Sequence, residues 1–431
     1  MSANSLRRQQ IFAVVAMYFG YAMFMVLRMI PGVAGAAMQK DPTLGIDLEV
    51  FGQILSLGTC GAILGNFIGG YAADRFGGRI TFAVGLAGCA AFTGLFAASS
   101  SVIMFQMMFF LALMSKSLGW PAMTKMIGNW FQPNEYGRVW GIISTSSRVG
   151  TLIATFGFGA LLVLLPWRVM LFLCSGVGIL VAIAFLILMK EKPAEELAKQ
   201  DTETSPSDDI VHHPLNGTTI WQSLSYFARS RQFWLITGSL MGLTILWDFL
   251  LMVPSFLGDT LDLPVEQASM AASAFPFGSL ISVLVGGFVF DKLNRNTTAW
   301  LMGGFLLLAS GCLGVFLLMP QFNMTLQALT YLSLILLFLF GLCISPCYYI
   351  PMSVFSIEFG GPHSGVLISL LDALVFGATA LFYFFGGGIA AASWERFLIV
   401  LLGISLWSCV TTFLFMKGEA SQQKTMLATD R

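Results

Sequence analysis

The chain contains 431 residues, of which 57% are hydrophobic and only 10% are charged. An ordinary soluble domain carries about 25% charged residues, so a water-soluble, disordered or coiled-coil protein is excluded. The 22 basic and 22 acidic residues give a formal net charge of zero, which provides no basic field for nucleic acid. The composition therefore indicates a polytopic membrane protein.

Twelve apolar segments follow one another along the chain, and each has the length of about 20 residues that a transmembrane helix needs. Backbone groups in lipid must be satisfied within their own segment, and no alternating barrel pattern is present, so all twelve are predicted to be helices. The sequence thus predicts an all-α membrane protein. The predicted spans are 11–38, 51–73, 80–99, 102–127, 138–165, 169–189, 232–258, 265–290, 297–319, 325–350, 364–390 and 394–416.

The polar stretch between the sixth and seventh spans divides the chain. It is too polar to bury a core and is predicted to be a linker, partly helical or disordered. The predicted domains are a six-helix bundle in 1–189, the linker in 190–231, a second six-helix bundle in 232–417 and a tail in 418–431.

Lys and Arg are concentrated on one side of the predicted membrane. The loops on the other side hold only Lys40, Arg168 and Arg396. By the positive-inside rule, the linker and both termini are expected to be cytoplasmic. The short loops favour a bacterial inner membrane.

A charged loop motif follows the second span and returns in degenerate form after the eighth. The first copy contains Gly70, Asp74, Arg75, Gly77 and Arg79, and the second contains Gly287, Asp291 and Lys292. Gly70 is expected to allow close helix contact, and the charges are expected to pair at a cytoplasmic gate. This motif resembles the loop signature of the major facilitator superfamily. The resemblance implies two pseudo-symmetric six-helix bundles that move about a central site.

A second resemblance is confined mainly to the first half. It rests on Gly20-Tyr21, Arg28, Gly119-Trp120-Pro121, Lys125, Asn129-Trp130-Phe131 and Trp140. These residues resemble the organophosphate:phosphate antiporter family, and its glucose-6-phosphate translocase branch in particular. The resemblance implies exchange of a sugar phosphate for phosphate, with Arg28 binding the phosphate group.

The chain departs from that family at several positions. Asp248 stands near the place where the family's glycerol-3-phosphate transporters have a second arginine, and Asn66 replaces a lysine. A dianionic phosphate favours two or more converging cations. These departures leave the substrate class open, although the fold of that family is still expected for this chain.

Charged side chains inside the predicted spans are the candidate site residues, because each costs at least about 2.5–3.5 kcal/mol at mid-membrane. Arg28, Lys116 and Asp248 fall on spans that line the cavity in this superfamily, and Tyr21 and Trp247 neighbour them. Arg28 is expected to bind an anionic group, or else to form a structural pair with Asp248. Asp248 is a candidate for proton coupling. Arg148 and Asp372 occupy equivalent repeat positions and are candidates for coupling or gating.

The sequence thus predicts a secondary transporter, not an enzyme, for a small polar metabolite that is anionic or zwitterionic, with proton-coupled uptake. An organophosphate/phosphate antiporter and a non-transporting metabolite sensor are the alternatives. No cofactor, metal site or nucleotide loop is predicted. The expected partners are the substrate, a proton or counter-substrate and the lipid bilayer, and the protein is expected to be a monomer.

Overall fold

The computed structural model describes residues 3–132, 135–191, 215, 219–290, 293–360 and 364–429. Helices make up nearly all of this part of the chain, and it contains no strand. The helices are α1 (Ala3–Gln39), α2 (Leu48–Phe76), α3 (Gly78–Ala98), α4 (Val102–Ser117), α5 (Gly119–Trp130), α6 (Tyr136–Leu152), α7 (Phe158–Leu161), α8 (Trp167–Leu188), α9 (Ile220–Arg229), α10 (Arg231–Asp248), α11 (Val253–Leu261), α12 (Val265–Ala272), α13 (Ala274–Phe290), α14 (Arg295–Leu318), α15 (Leu326–Gly360), α16 (Ser364–Ala392) and α17 (Trp394–Thr429).

Eleven helical segments of the described residues are long and apolar enough to cross a membrane. The remaining predicted span, 138–165, is formed by α6, a π-helical turn at Ile153–Gly157 and α7. Its hydropathy is lower because α6 carries Arg138, Arg148 and a run of hydroxyl residues. The predicted all-helical membrane fold is confirmed.

Proline accounts for three interruptions of the predicted spans. It has no backbone N–H to donate to the carbonyl four residues earlier, and its ring clashes there. The prolines are Pro121, Pro254 and Pro276, and the carbonyls concerned are those of Ser117, Leu250 and Ala272. The fourth span breaks into α4 and α5 after Ser117, and the eighth breaks into α12 and α13 after Ala272. A 3-10 turn at Phe249–Leu251 divides the seventh span into α10 and α11.

The chain forms two compact units. Unit 1 comprises Met1–Ser205, Leu251–Ser273 and Ala380–Ala391. Within it α2 packs on α4, and α3 packs on α8 and α4. Glycines allow this close packing, since a Cβ atom at Gly61 or Gly65 would collide with the backbone of α4. The core of unit 1 also contains stacked aromatic rings, and the ring centroids of Phe82 and Phe185 lie 4.4 Å apart.

Unit 1 also holds the ends of helices from the second half of the sequence against helices of the first half. A Cβ atom at Gly52 of α2 would lie 2.6 Å from Tyr383 O and 2.8 Å from Gly387 Cα, both on α16. Likewise, a Cβ atom at Gly159 would lie 2.8 Å from Met270 N on α12. These are backbone-to-backbone contacts, which only glycine permits.

Unit 2 comprises Pro206–Leu250, Ala274–Thr379 and Ala392–Arg431. Its main helix pairs are α14 with α17, α13 with α15 and α10 with α17. Hydroxyl pairs link these helices inside the apolar core, as is common in membrane bundles. The oxygen–oxygen distances are 2.6 Å for Ser239–Thr412, 2.8 Å for Ser279–Ser345 and 2.8 Å for Ser310–Ser405.

Candidate functional site

Arg28 lies well inside α1 and is half-buried, while its neighbours Leu27 and Met29 are buried. Its guanidinium presents five donors in a planar fork, which matches a carboxylate or phosphate bidentately. Tyr21 precedes it by about two helical turns and therefore lies on the same face of α1.

Tyr21 begins a row of three aromatic rings that crosses three helices of unit 1. Its ring centroid is 5.4 Å from that of Trp120 on α5, and Trp120 is 4.9 Å from Trp140 on α6. Tyr21 is buried in this row, whereas Trp120 keeps 38% of its surface exposed. The tyrosine proposed from the sequence is thus accompanied by two tryptophans.

Two other predicted residues of unit 1 are half-buried. Lys116 lies in the last turn of α4, just before the break ahead of α5. On α6, Arg148 Nη1 donates to Ser147 Oγ at 2.7 Å. The hydroxyl of Ser147 itself donates to the carbonyl of Ser144 at 2.9 Å, so this pair is anchored to the helix backbone.

The other three candidates belong to unit 2. Asp248 is buried and is the last residue of α10, directly before the 3-10 turn. Trp247 is half-buried, and its ring lies edge-on to Phe275 with centroids 5.3 Å apart. Asp372 is half-buried on α16. The alternative pairing of Arg28 with Asp248, and the roles of Arg148 and Asp372 in coupling or gating, remain predictions.

The charged motif after α2 has specific partners in unit 1. Asp74 Oδ1 accepts a hydrogen bond from Lys125 Nζ on α5 at 2.9 Å. Arg75 Nη1 donates to Tyr71 OH at 2.8 Å, one turn back on α2. The guanidinium of Arg79 donates to the carbonyl of Leu186 near the end of α8. The motif therefore connects α2 and α3 to α5 and α8.

Glu191 completes this network, and sequence reasoning missed it. Its carboxylate accepts the backbone N–H groups of Gly78 and Arg79, both at 2.7 Å, and the Asn129 side-chain amide at 3.3 Å. These two N–H groups belong to the first turn of α3, where a negative charge is favoured. Gly77 turns the chain between α2 and α3 with φ +84°, a conformation suited to glycine.

The close helix contact expected at Gly70 is not formed with the described residues, because a Cβ atom there would have no described atom within 4 Å. Gly69 has this role instead, because its Cβ atom would lie 2.9 Å from Leu118 Cα. Gly70 faces away from α5 by one helical step of about 100°. Asp291 and Lys292, predicted for the second copy of the motif, lie outside the described residues, and Gly287 falls in the last turn of α13.

The described residues contain no group of three or more His, Cys, Asp or Glu side chains that could hold a metal ion. The candidate residues in each unit are instead buried or half-buried charged side chains and aromatic rings on membrane helices. Unit 1 holds three cations, Arg28, Lys116 and Arg148, and unit 2 holds two acids, Asp248 and Asp372.

Comparison with known proteins identifies the family. The model of the Major Facilitator Superfamily matches residues 12–363. The chain is 27% identical over 270 residues to a hexuronate transporter of Bacillus subtilis, a match that spans 62% of this chain and 60% of that transporter. It is also 22% identical over 423 residues to a glucose-6-phosphate exchanger of Bos taurus, spanning 89% of this chain and 84% of the exchanger.

A solved structure shares the fold. The crystal structure of a bacterial homologue of the human lysosomal transporter Spinster, inward-facing and unoccupied, superposes with a TM-score of 0.72 at 15% identity. The match covers 95% of this chain and 97% of the other. The resemblance predicted from the sequence motifs is confirmed, and the protein is a membrane transporter, not an enzyme. The chain belongs to the Major Facilitator Superfamily.

Proposed function

We propose that this protein is a secondary active transporter for a small polar metabolite with one anionic group, and that its substrate is a hexose-derived acid or phosphate. The protein works by alternating access, and uptake of the substrate is coupled to uptake of protons. The relatives support the substrate class, since one is named for a hexuronate and another for glucose-6-phosphate. Both substrates combine a sugar skeleton with a single anionic group.

Arg28 is the observation that carries the proposal. Placing a half-buried guanidinium inside the apolar helix α1 costs at least about 2.5–3.5 kcal/mol. A charge kept at that cost is best explained by a functional role. In the proposal Arg28 binds the anionic group bidentately, with Tyr21 on the same face and Lys116 as the second cation.

Proton coupling is assigned to Asp248. It is buried at the end of α10, and a buried carboxyl group can be neutral or charged according to whether a cation is near. In the proposal Asp248 binds a proton with the substrate and releases it on the other side. Arg148 and Asp372 act in coupling or gating, and the charged motif from Gly70 to Arg79 acts as a cytoplasmic gate.

The proposed location is a bacterial inner membrane, with both termini and the linker in the cytoplasm. The proposed domains are the two six-helix halves, 1–189 and 232–417, joined by the linker 190–231. The proposed working form is a monomer.

Transport by purified protein in proteoliposomes tests the function. Labelled hexuronate and glucose-6-phosphate are offered separately, first with an inward proton gradient and then with phosphate trapped inside. Accumulation of hexuronate that needs the proton gradient and not internal phosphate supports the proposal. Uptake only against internal phosphate would establish antiport instead. Saturable binding with no uptake in either condition would indicate a sensor.

A further inference from the structure

The short helix α9 occupies a defined level at one end of unit 2. It begins with a capping box, in which Thr219 N donates to Gln222 Oε1 at 2.9 Å and Gln222 N donates to Thr219 Oγ1 at 3.4 Å. It ends at Arg229, and Ser230 alone separates it from α10. Because α10 begins the seventh span, α9 must lie at the membrane surface and not in bulk water.

One face of α9 is packed on unit 2. Ser223 and Phe227 are fully buried. The ring of Phe227 lies 5.6 Å from that of Phe359 near the end of α15, and the neighbouring ring of Tyr226 stacks on Phe359 at 5.5 Å. These contacts hold one face of α9 against unit 2, so the opposite face lies at the surface.

The other face carries Trp221, which is 81% exposed, together with Arg229, which is also exposed. Trp234 in the first turn of α10 is 54% exposed, and its Nε1 donates to Ala228 O of α9 at 2.8 Å. Exposed tryptophans beside a membrane span are typical of the headgroup level, because the apolar ring can contact lipid there while the N–H faces water or polar groups.

The same surface continues onto α17 and α14. The side chain of Gln232 on α10 lies next to Gly418 of α17, where an added Cβ atom would collide with it. Beside it, Lys417 Nζ lies 5.0 Å from the ring centroid of Trp300, which is 63% exposed on α14. We call this surface the interface belt; it consists of Trp221, Arg229, Arg231, Trp234, Trp300 and Lys417.

The charged members of the interface belt are all basic. Its three cations lie at the helix ends that surround α9, and the segments 219–234, 294–300 and 413–418 contain no Asp or Glu, although Glu419 follows the last of them directly. Basic residues next to aromatic anchors at the headgroup level are complementary to the phosphates of anionic phospholipids.

We propose that the interface belt binds anionic phospholipid headgroups, with α9 lying flat in the headgroup region and Trp221 inserted beside it. Binding at α9 also stabilises the end of α15, because Tyr226 and Phe227 pack on Phe359. Lipid binding at the interface belt does not depend on the substrate. Either the lipid site or the proposed transport function can therefore be disproved without affecting the other.

Thermal unfolding of the full chain in nanodiscs tests lipid binding. Nanodiscs of phosphatidylcholine are compared with nanodiscs that also contain phosphatidylglycerol. Phosphatidylglycerol is expected to raise the Tm of the wild type, and Arg229→Gln/Arg231→Gln and Lys417→Gln are each expected to lose a substantial part of that rise. Arg396→Gln is the matched control, because it removes one cation from the opposite end of α17. An equal rise in all four proteins would overturn the proposal.

A depth measurement provides a test that does not depend on the charge variants. Cys60 is the only exposed native cysteine, so Cys60→Ser supplies a background for labelling. A nitroxide at Trp221→Cys should show mixed collisions with oxygen and a water-soluble nickel complex, as expected at the headgroup level. A label at Trp407→Cys, an exposed position inside α17, serves as the deep reference. Full access of the Trp221→Cys label to nickel, as in bulk water, would exclude an interfacial α9.

Discussion

The carboxylate of Glu191 accepts the backbone N–H of Gly78 at 2.7 Å and thereby caps a helix 113 positions earlier in the sequence. Glu191 follows α8, so this contact joins the end of the sixth span to the loop between α2 and α3. Trp130 Nε1 donates to the neighbouring Lys190 O at 3.1 Å, which adds α5 to the same junction. The charged loop motif is therefore held by a residue outside it.

Glu191→Ala is expected to destabilise the protein by about 1–2 kcal/mol, because two N–H groups of α3 lose a charged acceptor. Glu191→Gln keeps one acceptor and should lose roughly half as much. Denaturant or thermal unfolding in detergent measures the difference. Glu135→Gln is the control, since that exposed carboxylate accepts one local bond from Gln132 N. Equal stability of Glu191→Ala and the wild type would show that water replaces the cap without cost.

The ion pair of Asp74 and Lys125 has a different expected effect. The side chains are 75% and 43% exposed, so screening by water limits the pair to about 0–1 kcal/mol. Lys125→Met should therefore change stability by less than about 1 kcal/mol, although transport falls if the pair acts in gating. The exchange Asp74→Lys/Lys125→Asp restores the pair with reversed polarity. Uptake by the single and double variants, compared in a double-mutant cycle, measures the coupling.

Gly52 and Gly387 are predicted to be required for the contact between α2 and α16. Gly52→Ala would place its Cβ atom 2.8 Å from Gly387 Cα, and a backbone atom cannot rotate away. We expect transport by Gly52→Ala to fall at least tenfold with little loss of thermal stability, because in the proposed alternating-access cycle this contact between the two halves of the sequence forms and separates. Ser255→Cys in the Cys60→Ser background should react faster with maleimide in this variant, since Ser255 is buried at the same end and bonds Gln39.

Two other glycines provide matched controls for that experiment. A Cβ atom at Gly176 of α8 would meet no described atom within 4 Å, so Gly176→Ala should transport normally. Gly61→Ala meets Phe110 O inside the first bundle and should lose stability. If Gly52→Ala behaves like Gly176→Ala in both transport and labelling, the contact with Gly387 has no role in the cycle.

The sequence predicts the helices well because span length and polarity are local properties. Three breaks also have a local cause, because each lies about four residues before a proline, which has no N–H to donate to the carbonyl there. Proline alone does not determine a break, however, since α1 continues through Pro31 and α15 through Pro346 and Pro351. The sequence does not predict that Lys125 pairs with Asp74, since 51 positions separate them. The cap by Glu191 has no local signal either, because an acid directly after the sixth span is indistinguishable from the charged residues of the linker. Such contacts are determined by how the helices pack, which a single sequence does not encode locally.

The candidate site likewise contains residues that the sequence predicts and residues that only the packing reveals. Arg28 is predictable from one sequence, because a charge inside an apolar span requires a functional or structural reason. Trp140 is not, since aromatic residues are common in membrane helices; its place beside Trp120 follows from the packing of both α5 and α6 against α1.

Arg28→Lys tests the proposed anion site most directly. Lysine keeps the positive charge but loses the planar fork, so a bidentate contact becomes a point contact. We expect the KM for the anionic substrate to rise roughly tenfold or more, which corresponds to the loss of at least about 1.4 kcal/mol of binding free energy. Thermal stability should change little. Arg28→Gln removes the charge and should abolish uptake. Trp234→Phe, which lies in the interface belt, is a control expected to leave the KM unchanged. Wild-type KM in Arg28→Lys, with normal protein levels in the membrane, would remove Arg28 from the binding site.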